Sequence, residues 1–376
     1  MLNKRIITII GSTGSIGMQT LDIIRIYPDK FKIFALIANN QIDKLIAQAK
    51  EFLPNYIVIA NKLHYKQAQR ELSNYQIEIL AGEDEINNIS SQNVDVVVAA
   101  CIGFCGLMPI INGLKSGNII AIANKEVLIC AGHIIGKFIT RENQIIPIDS
   151  EHNAIFQIIN DRRSEISNLT ITASGGAFFQ SSKEKTLENA LRHPIWSMGK
   201  KITIDSSTLV NKVLEVIEAH YLFNIPINKI NILIHPQSII HGMISYIDGT
   251  SISTMYRPDM RIPISYAINY PQRLQLQNFA LDLAKIDNLS FFAASEDEFP
   301  AIKLLKYKNF IAINAANEIV VQYFLEKKIT FNEIIKIIDS IVEENETKEY
   351  PQTIEGIILL DKKIRQQTIK LIEKNH

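Results

Sequence analysis

A chain of 376 residues is long enough to bury a full hydrophobic core and to hold two or three domains, more than a simple binding module needs. Its 39 Lys+Arg balance 39 Asp+Glu, so no long-range field favours nucleic acid or an acidic membrane surface as partner. No apolar run approaches the roughly 20 residues that span a bilayer. The start carries Lys4 and Arg5, then a short apolar run leading into a glycine loop, and reads as a first buried strand, with the cytoplasm as expected compartment. Cys101, Cys105 and Cys130 lie in or beside apolar runs without a CxxC pair, which suits buried thiols in a reducing compartment and argues against a structural zinc or a catalytic thiol.

Residues 5–10 form a near-continuous β-branched run, and Ile16, Leu21 and Ile24 then recur at helical spacing, so the chain opens as strand, glycine turn, helix. Further strands are expected at 31–37, 56–60, 76–80, 94–100, 118–123 and 144–148. Strands that are apolar on both faces and separated by helices predict a mostly parallel sheet covered on both sides. From about 150 the texture changes, with strand-like runs at 168–173, 200–205, 229–234 and 239–247 around a helix at about 208–221. A connection follows over 272–297. Apolar groups at helical spacing in 301–308, 311–327, 331–343 and 352–372, broken by the polar stretch Glu344 to Lys348, predict helices. The expected fold class is α/β: an N-terminal Rossmann-like, mostly parallel sheet, a central α+β domain and a C-terminal helical domain. The expected boundaries are 1–149, 150–285, a connection over 286–310, and 311–376.

Gly11, Gly14 and Gly17 sit between the first strand and helix, where missing side chains let backbone N–H groups approach a pyrophosphate. The spacing GxxGxxG also fits a tight turn without a ligand. At the end of the second strand Ala38-Asn39-Asn40-Gln41 is neutral, without the acidic residue that grips a free ribose 2′-hydroxyl, and so leans toward NADP. No Lys or Arg stands in that segment to hold the 2′-phosphate.

Asp149 and Glu151 follow the strand at 144–148; in extended backbone they share a face and repel unless a cation joins them. Asn211, Glu215 and Glu218 recur at helical spacing, and three oxygen ligands would suit Mg²⁺ or Mn²⁺, with His152 as a supporting or packing residue. The plainer readings are a solvated turn and an exposed helix face. Ser174-Gly175-Gly176 after one strand, and Ser206, Asn211 and Lys212 at a strand-to-helix junction, offer donors for a phosphate. Helix capping by Ser207 or Thr208 beside a surface lysine is the alternative. Trp196, the chain's single tryptophan, lies in the polar loop Arg192 to Gly199 and is either a core plug or a lid.

Taken together these residues closely resemble the 1-deoxy-D-xylulose 5-phosphate reductoisomerase family of the non-mevalonate isoprenoid pathway. The resemblance spans nearly the whole chain: GSTGSIG at 11–17, ANKE at 123–126, PIDSEHNAIFQ at 147–157, SGG at 174–176, RHPIWSMG at 192–199, NKVLEVIEA at 211–219, HPQSIIH at 235–241, PDMRIPI at 258–264 and INAANE at 313–318. It implies an NADPH domain, a central catalytic domain, a helical domain and a homodimer. It implies that Asp149, Glu151 and Glu215 bind a divalent cation (Mg²⁺, Mn²⁺ or Co²⁺), and that Ser174, His193, Ser206, Asn211 and Lys212 surround the substrate phosphate. Lys125, Ser150, Glu151 and His193 are then the expected catalytic groups, and Trp196 and Met198 the flap that touches substrate. Thr13, Gly14, Ser15, Ile16, Gly17, Asn39, Asn40, Gln41, Asn124, Glu126 and Gly199 are the expected cofactor contacts. The chain departs from the family at Asn39 and Asn40, where Gly and a basic residue are common, and at Ala173 and Ala177, where Gly and Pro are common. The implied reaction is metal-assisted rearrangement of a phosphorylated ketose followed by hydride reduction. The competing readings are an NADP-dependent semialdehyde or sugar-phosphate dehydrogenase that does not rearrange its substrate, and a dinucleotide-sensing interaction protein.

Overall fold

Apolar strands alternate with amphipathic helices through the first 150 residues, and the computed structural model of the chain carries this alternation into a doubly covered sheet. It describes residues 4–159, 163–196, 198–346 and 350–375, so Met1, Ser197 of the tryptophan loop, and Thr347 and Lys348 of the polar stretch lie outside the described residues. The first elements are β1 (Arg5–Ile10), α1 (Ser15–Ile26), β2 (Phe31–Ala38), α2 (Ile42–Phe52), β3 (Tyr56–Ile59), α3 (Tyr65–Glu71), β4 (Glu78–Ala81) and α4 (Glu83–Ser90). β5 (Val96–Ala99), α5 (Leu107–Lys115), β6 (Ile119–Ile122), α6 (Lys125–Ile135), β7 (Ile145–Pro147) and α7 (Ser150–Phe156) follow. The seven strands pair in parallel in the order β4-β3-β2-β1-β5-β6-β7. The order reverses between β1 and β5, and in open parallel sheets ligands enter the crevice at that reversal, beyond the carboxyl ends of the strands.

After α7 come β8 (Ile166–Ala173), α8 (Leu187–Ala190), α9 (Lys200–Thr208), α10 (Val210–Phe223), β9 (Ile230–Ile234), β10 (Ile240–Tyr246), β11 (Ser251–Met255), α11 (Arg261–Asn269) and β12 (Phe292–Ala293). The helices α12 (Phe310–Leu325), α13 (Phe331–Glu344) and α14 (Ile354–Asn375) end the chain. A mixed five-stranded sheet runs in the order β11-β10-β8-β9-β12, with β8 and β9 parallel.

The chain divides into two compact units. Met1–Val127, Ile135–Asn153 and Asp259–Gln277 form one; Leu128–Ile134, Ala154–Pro258 and Asn278–His376 form the other. In the first, α11 packs against α1, β6 and β7. Arg5 at the start of β1 donates to Ile268 O and Tyr270 O, 3.1 and 2.7 Å away, placing a cation on the last carbonyls of α11. In the second, Val216, Ala219 and Phe223 of α10 pack on Ile166, Leu169 and Ile171 of β8, and α12 packs against α9, α13 and α14.

Three expectations need correction. Residues 200–205 are helix α9, not a strand, although Ile202, Thr203 and Ile204 favour β structure. Packing overrides that preference, because Thr203, Ile204, Ser207 and Thr208 line up as one buried helical stripe. Asp149 and Glu151 do not lie in extended backbone: α7 starts at Ser150, and Asp149 accepts from Asn153 N at 2.8 Å as the helix begins. Cys105 is exposed, and only Cys130 of the three cysteines is buried.

Between α9 and α10 the backbone turns at Leu209, which adopts the left-handed conformation at φ 64°. For a residue with a Cβ that conformation costs roughly 1–2 kcal/mol. Its buried side chain packs with Ala173, Ile234 and Phe299 and offsets this by about 1.5–3 kcal/mol. Leu209→Ala is therefore expected to lower unfolding stability by about 2–5 kcal/mol, read by urea denaturation. A loss below about 1 kcal/mol would show that the turn does not depend on this anchor.

Candidate active site

The glycine loop is shaped by close approach. Gly11 has φ +88°, and a Cβ there would lie 2.5 Å from Ala100 O; a Cβ on Gly17 would lie 2.3 Å from Gly11 O and 2.6 Å from Ser12 Cα. Gly11 N and Ser12 N both donate to Ile37 O of β2, at 2.9 and 3.0 Å. The turn is pinned to the sheet while Gly14, Ser15, Ile16 and Gly17 open α1, whose first N–H groups face away from any intrahelical acceptor. Thr13 and Ser12 are buried, and Ser12 Oγ has no partner among the described residues. Gln48 of α2 braces the turn from behind, its amide donating to Ser12 O at 2.9 Å. Asn39, Asn40 and Gln41 are exposed beyond β2, and Asn40 Oδ1 accepts from Asn61 Nδ2 at 2.9 Å.

Asn124 is a brace. Its amide donates to Cys101 O and Gly103 O at 2.9 and 2.7 Å, while its Oδ1 accepts Val127 N, capping α6. Glu126 is buried in the first turn of that helix, where the helix dipole favours a carboxylate. Lys125, also buried, reaches Asp149, with Nζ 2.8 Å from Oδ2. His152 Nδ1 lies 3.2 Å from Asp149 Oδ1, Glu151 N donates to the same oxygen at 3.3 Å, and Ser150 Oγ donates to Glu151 at 2.5 Å. A half-buried carboxylate pair ringed by a lysine, a serine and a histidine is not the solvated turn of the plainer reading.

In the second unit the donors converge around one imidazole. His193 Nδ1 accepts from Trp196 N at 2.9 Å and Ile195 N at 3.2 Å, so the ring proton sits on Nε2. Nε2 lies 3.0 Å from Ser174 Oγ and 3.1 Å from Ser206 Oγ. Burial, with the nearby Lys212 charge adding to it, pushes the His193 pKa down to about 4. Gly175 and Gly176 have φ of +87° and +69°, and a Cβ on Gly176 would lie 2.6 Å from Ser206 O, so the turn after β8 packs directly on the backbone of α9. Gly199 is the N-cap of α9.

Lys212 Nζ donates to Glu215 at 2.6 Å, and Asn211 Nδ2 donates to the other carboxylate oxygen. Glu215 and Glu218 are each 1% exposed, which rules out the exposed helix face. Trp196 is half-buried, as is Met198; the indole edge meets His241, ring centroids 6.2 Å apart, and His241 stacks on Tyr256 at 3.9 Å. The sequence assigned His241 no role, and only the fold brings it under the tryptophan. Asp205 and Lys201 were also passed over; their i,i+4 pairing emerges only once 200–208 is helical.

Models of one family match three parts of the chain. Those described as 1-deoxy-D-xylulose 5-phosphate reductoisomerase, its C-terminal domain, and DXP reductoisomerase C-terminal domain cover residues 7–132, 145–223 and 255–367. The chain is 42% identical to the 1-deoxy-D-xylulose 5-phosphate reductoisomerase of Pelodictyon phaeoclathratiforme, over 98% of this chain and all 100% of that one. It is 43% identical to that of a Sulfurihydrogenibium species, with 96% of each chain covered. A crystal structure of DOX-P reductoisomerase in complex with NADPH, fosmidomycin and magnesium superposes with a TM-score of 0.92 at 35% identity, covering 98% of both chains. The Zymomonas mobilis enzyme in complex with NADPH gives 0.91 at 37% identity, covering 99% of this chain and 100% of that one.

The buried neutral imidazole makes stability depend on pH. An unfolded chain protonates His193 near pH 6.5, whereas the native site resists the proton down to about 4. Between those values the unfolded state binds more protons, so stability falls as pH drops through that window. His193→Gln is expected to flatten the stability profile between pH 6.5 and 4, measured by denaturant unfolding at stepped pH. An imidazole that titrates near 6.5 by NMR in the native protein would contradict this account.

Proposed function

Because the chain belongs to the 1-deoxy-D-xylulose 5-phosphate reductoisomerase family, we propose that it rearranges and reduces 1-deoxy-D-xylulose 5-phosphate to 2-C-methyl-D-erythritol 4-phosphate with NADPH and a divalent cation. The observation that carries the reading is the convergence of Ser174 and Ser206 on the His193 imidazole, with the Lys212 charge near enough to act on that ring. Two hydroxyls, an Nε2–H and an ammonium are the donor set a phosphate dianion takes, and hydrogen bonds to the anion are of the strong, charge-assisted kind. Phosphate held there, away from the bond changes, orients the substrate and supplies binding energy for closing the loop that carries Trp196 and Met198.

The glycine turn supports the cofactor: Gly11 and Gly17, where a Cβ would strike backbone, let the turn close tightly against the start of α1, and Ser12 offers a buried hydroxyl. Thr13, Gly14, Ser15, Ile16 and Gly17 would hold the pyrophosphate, Asn39, Asn40 and Gln41 the adenosine end, and Asn124, Glu126 and Gly199 the remaining contacts. Asp149, Glu151 and Glu215 are a hard oxygen donor set of the kind Mg²⁺, Mn²⁺ or Co²⁺ accepts. When bound, the cation would polarise the substrate ketone and neighbouring hydroxyl, and NADPH would supply the hydride. Lys125 and Ser150 would act beside it, the ammonium holding the Asp149 carboxylate in place and the hydroxyl orienting Glu151. His193, neutral with its proton on Nε2, would donate to the substrate phosphate.

The protein would work in the cytoplasm; among the described residues no helix is long and apolar enough to cross a membrane. A homodimer is supported by β11, an outermost strand of its sheet that leaves Ile252 exposed.

Incubation with 1-deoxy-D-xylulose 5-phosphate, Mg²⁺ and NADPH is expected to yield the branched 2-C-methyl-D-erythritol 4-phosphate, identified by mass and NMR. An unbranched reduced product would instead favour a sugar-phosphate dehydrogenase. Glu151→Gln keeps volume and removes a charge. It should lower turnover by about 100-fold or more while NADPH affinity stays within about threefold of wild type. Turnover and metal affinity both near wild type would remove Glu151 from the metal site.

A further inference from the structure

Helix α9 carries Ser206 of the anion pocket, yet apolar burial grips it weakly. Ile204 is the large apolar side chain on its buried face, and the rest of that face is Thr203, Asp205, Ser207 and Thr208. The hydroxyls turn inward. Ser207 Oγ donates to Ile204 O at 2.9 Å, Thr208 Oγ1 to the same carbonyl at 3.1 Å, and Thr203 Oγ1 to Gly199 O at 2.8 Å, so they spend their bonds within the helix and its cap. Asp205 reaches outward. Its Oδ1 accepts from Asn317 Nδ2 of α12 at 2.9 Å, and its Oδ2 pairs with Lys201 at 2.7 Å. Asp205 is 1% and Asn317 0% exposed, so this bond is made away from water, where geometry is strict.

The far end of the bond is itself anchored. One turn before Asn317 on α12, Asn314 donates to Glu318 at 3.0 Å, and Glu318 pairs with Arg365 of α14 at 2.7 Å. Arg365 also holds Asp361 at 2.7 Å. Asn317 is thus presented from a helix fixed against its neighbour, while Ser206 is the residue after Asp205 on the helix it holds. A rotation of α9 by about 20° would move a side-chain oxygen at roughly 5 Å from the helix axis by about 2 Å. That displacement is enough to break the 3.1 Å contact between Ser206 Oγ and His193 Nε2.

We propose that Asn317 is a positioning residue for the anion pocket: its amide, bonded to the Asp205 carboxylate, sets the rotation of α9 and with it the place of the Ser206 hydroxyl. The proposal rests on reading Ser174, His193, Ser206 and Lys212 as a phosphate site.

The test uses the full chain, inorganic phosphate as probe with Trp196 fluorescence as signal, and the His193 imidazole followed by NMR. Asn317→Asp sets two carboxylates against each other and should weaken phosphate binding about tenfold or more, and move the His193 titration toward its ordinary value. The exchange Asp205→Asn/Asn317→Asp restores an amide-to-carboxylate bond with its ends reversed, and should return both readouts to within about threefold of wild type. Loss of stability alone would move neither readout in a protein that still melts cooperatively. With the phosphorylated ketose, KM should rise more than kcat falls. Should Asn317→Asp fail to fold, Asn317→Ala carries the comparison. A folded Asn317→Asp or Asn317→Ala protein with wild-type phosphate affinity and wild-type His193 titration would overturn the positioning role. Wild-type protein that does not bind phosphate at all would instead overturn the pocket reading on which it stands.

Discussion

The proposed phosphate pocket depends on where one proton sits. His193 accepts two backbone N–H groups on Nδ1, from Ile195 and Trp196, and this leaves Nε2 as the donor facing Ser174 and Ser206. The same two bonds fold the loop, so the shape of the tryptophan segment and the tautomer of the ring are one constraint. Burial and the Lys212 charge keep the imidazole neutral. A protonated ring would place a donor against two backbone donors and break the turn. The strand end at Ser174, the loop at His193 and the helix at Ser206 are thus held together by a single uncharged side chain.

Charge is handled differently elsewhere. Buried or half-buried carboxylates are met by nearby cations: Asp149 by Lys125, Glu215 by Lys212, Asp205 by Lys201. Such pairs contribute little net stability, because desolvation offsets much of the attraction, but removing one partner is costly. Their value is in holding oxygen atoms at defined places. A lysine so placed fixes where the carboxylate oxygens point.

The glycine turn of the first unit works by exclusion of side chains rather than by attraction. Gly11 and Gly17 stand where a Cβ would collide with backbone, one against Ala100 and the other against Gly11 itself. The turn therefore closes tightly over the carboxyl end of β1, next to the reversal of strand order, and delivers the first turn of α1 to the crevice. Gln48 and Asn124 hold the neighbouring loops from behind.

Much of this was legible in the residues alone. The parallel sheet follows from strands apolar on both faces, and the glycine turn from its position between a buried strand and a helix. The roles proposed for Asp149, Glu151, Glu215, Ser174, His193 and Lys212 were legible only through family motifs, since spacing left each of them a plainer explanation. What the sequence could not decide is how side chains far apart in the chain meet. Residues 200–205 have strand propensity and become a helix because a buried stripe on α9 packs beside α10 and α12. Asp205 finds Asn317 across 112 positions, and Trp196 of the loop finds His241 of β10. Local composition determines period and turn chemistry, which act over a few residues. Helix rotation, proton placement and charge pairing depend on contacts formed only when distant segments are packed together, and those the tertiary structure decided.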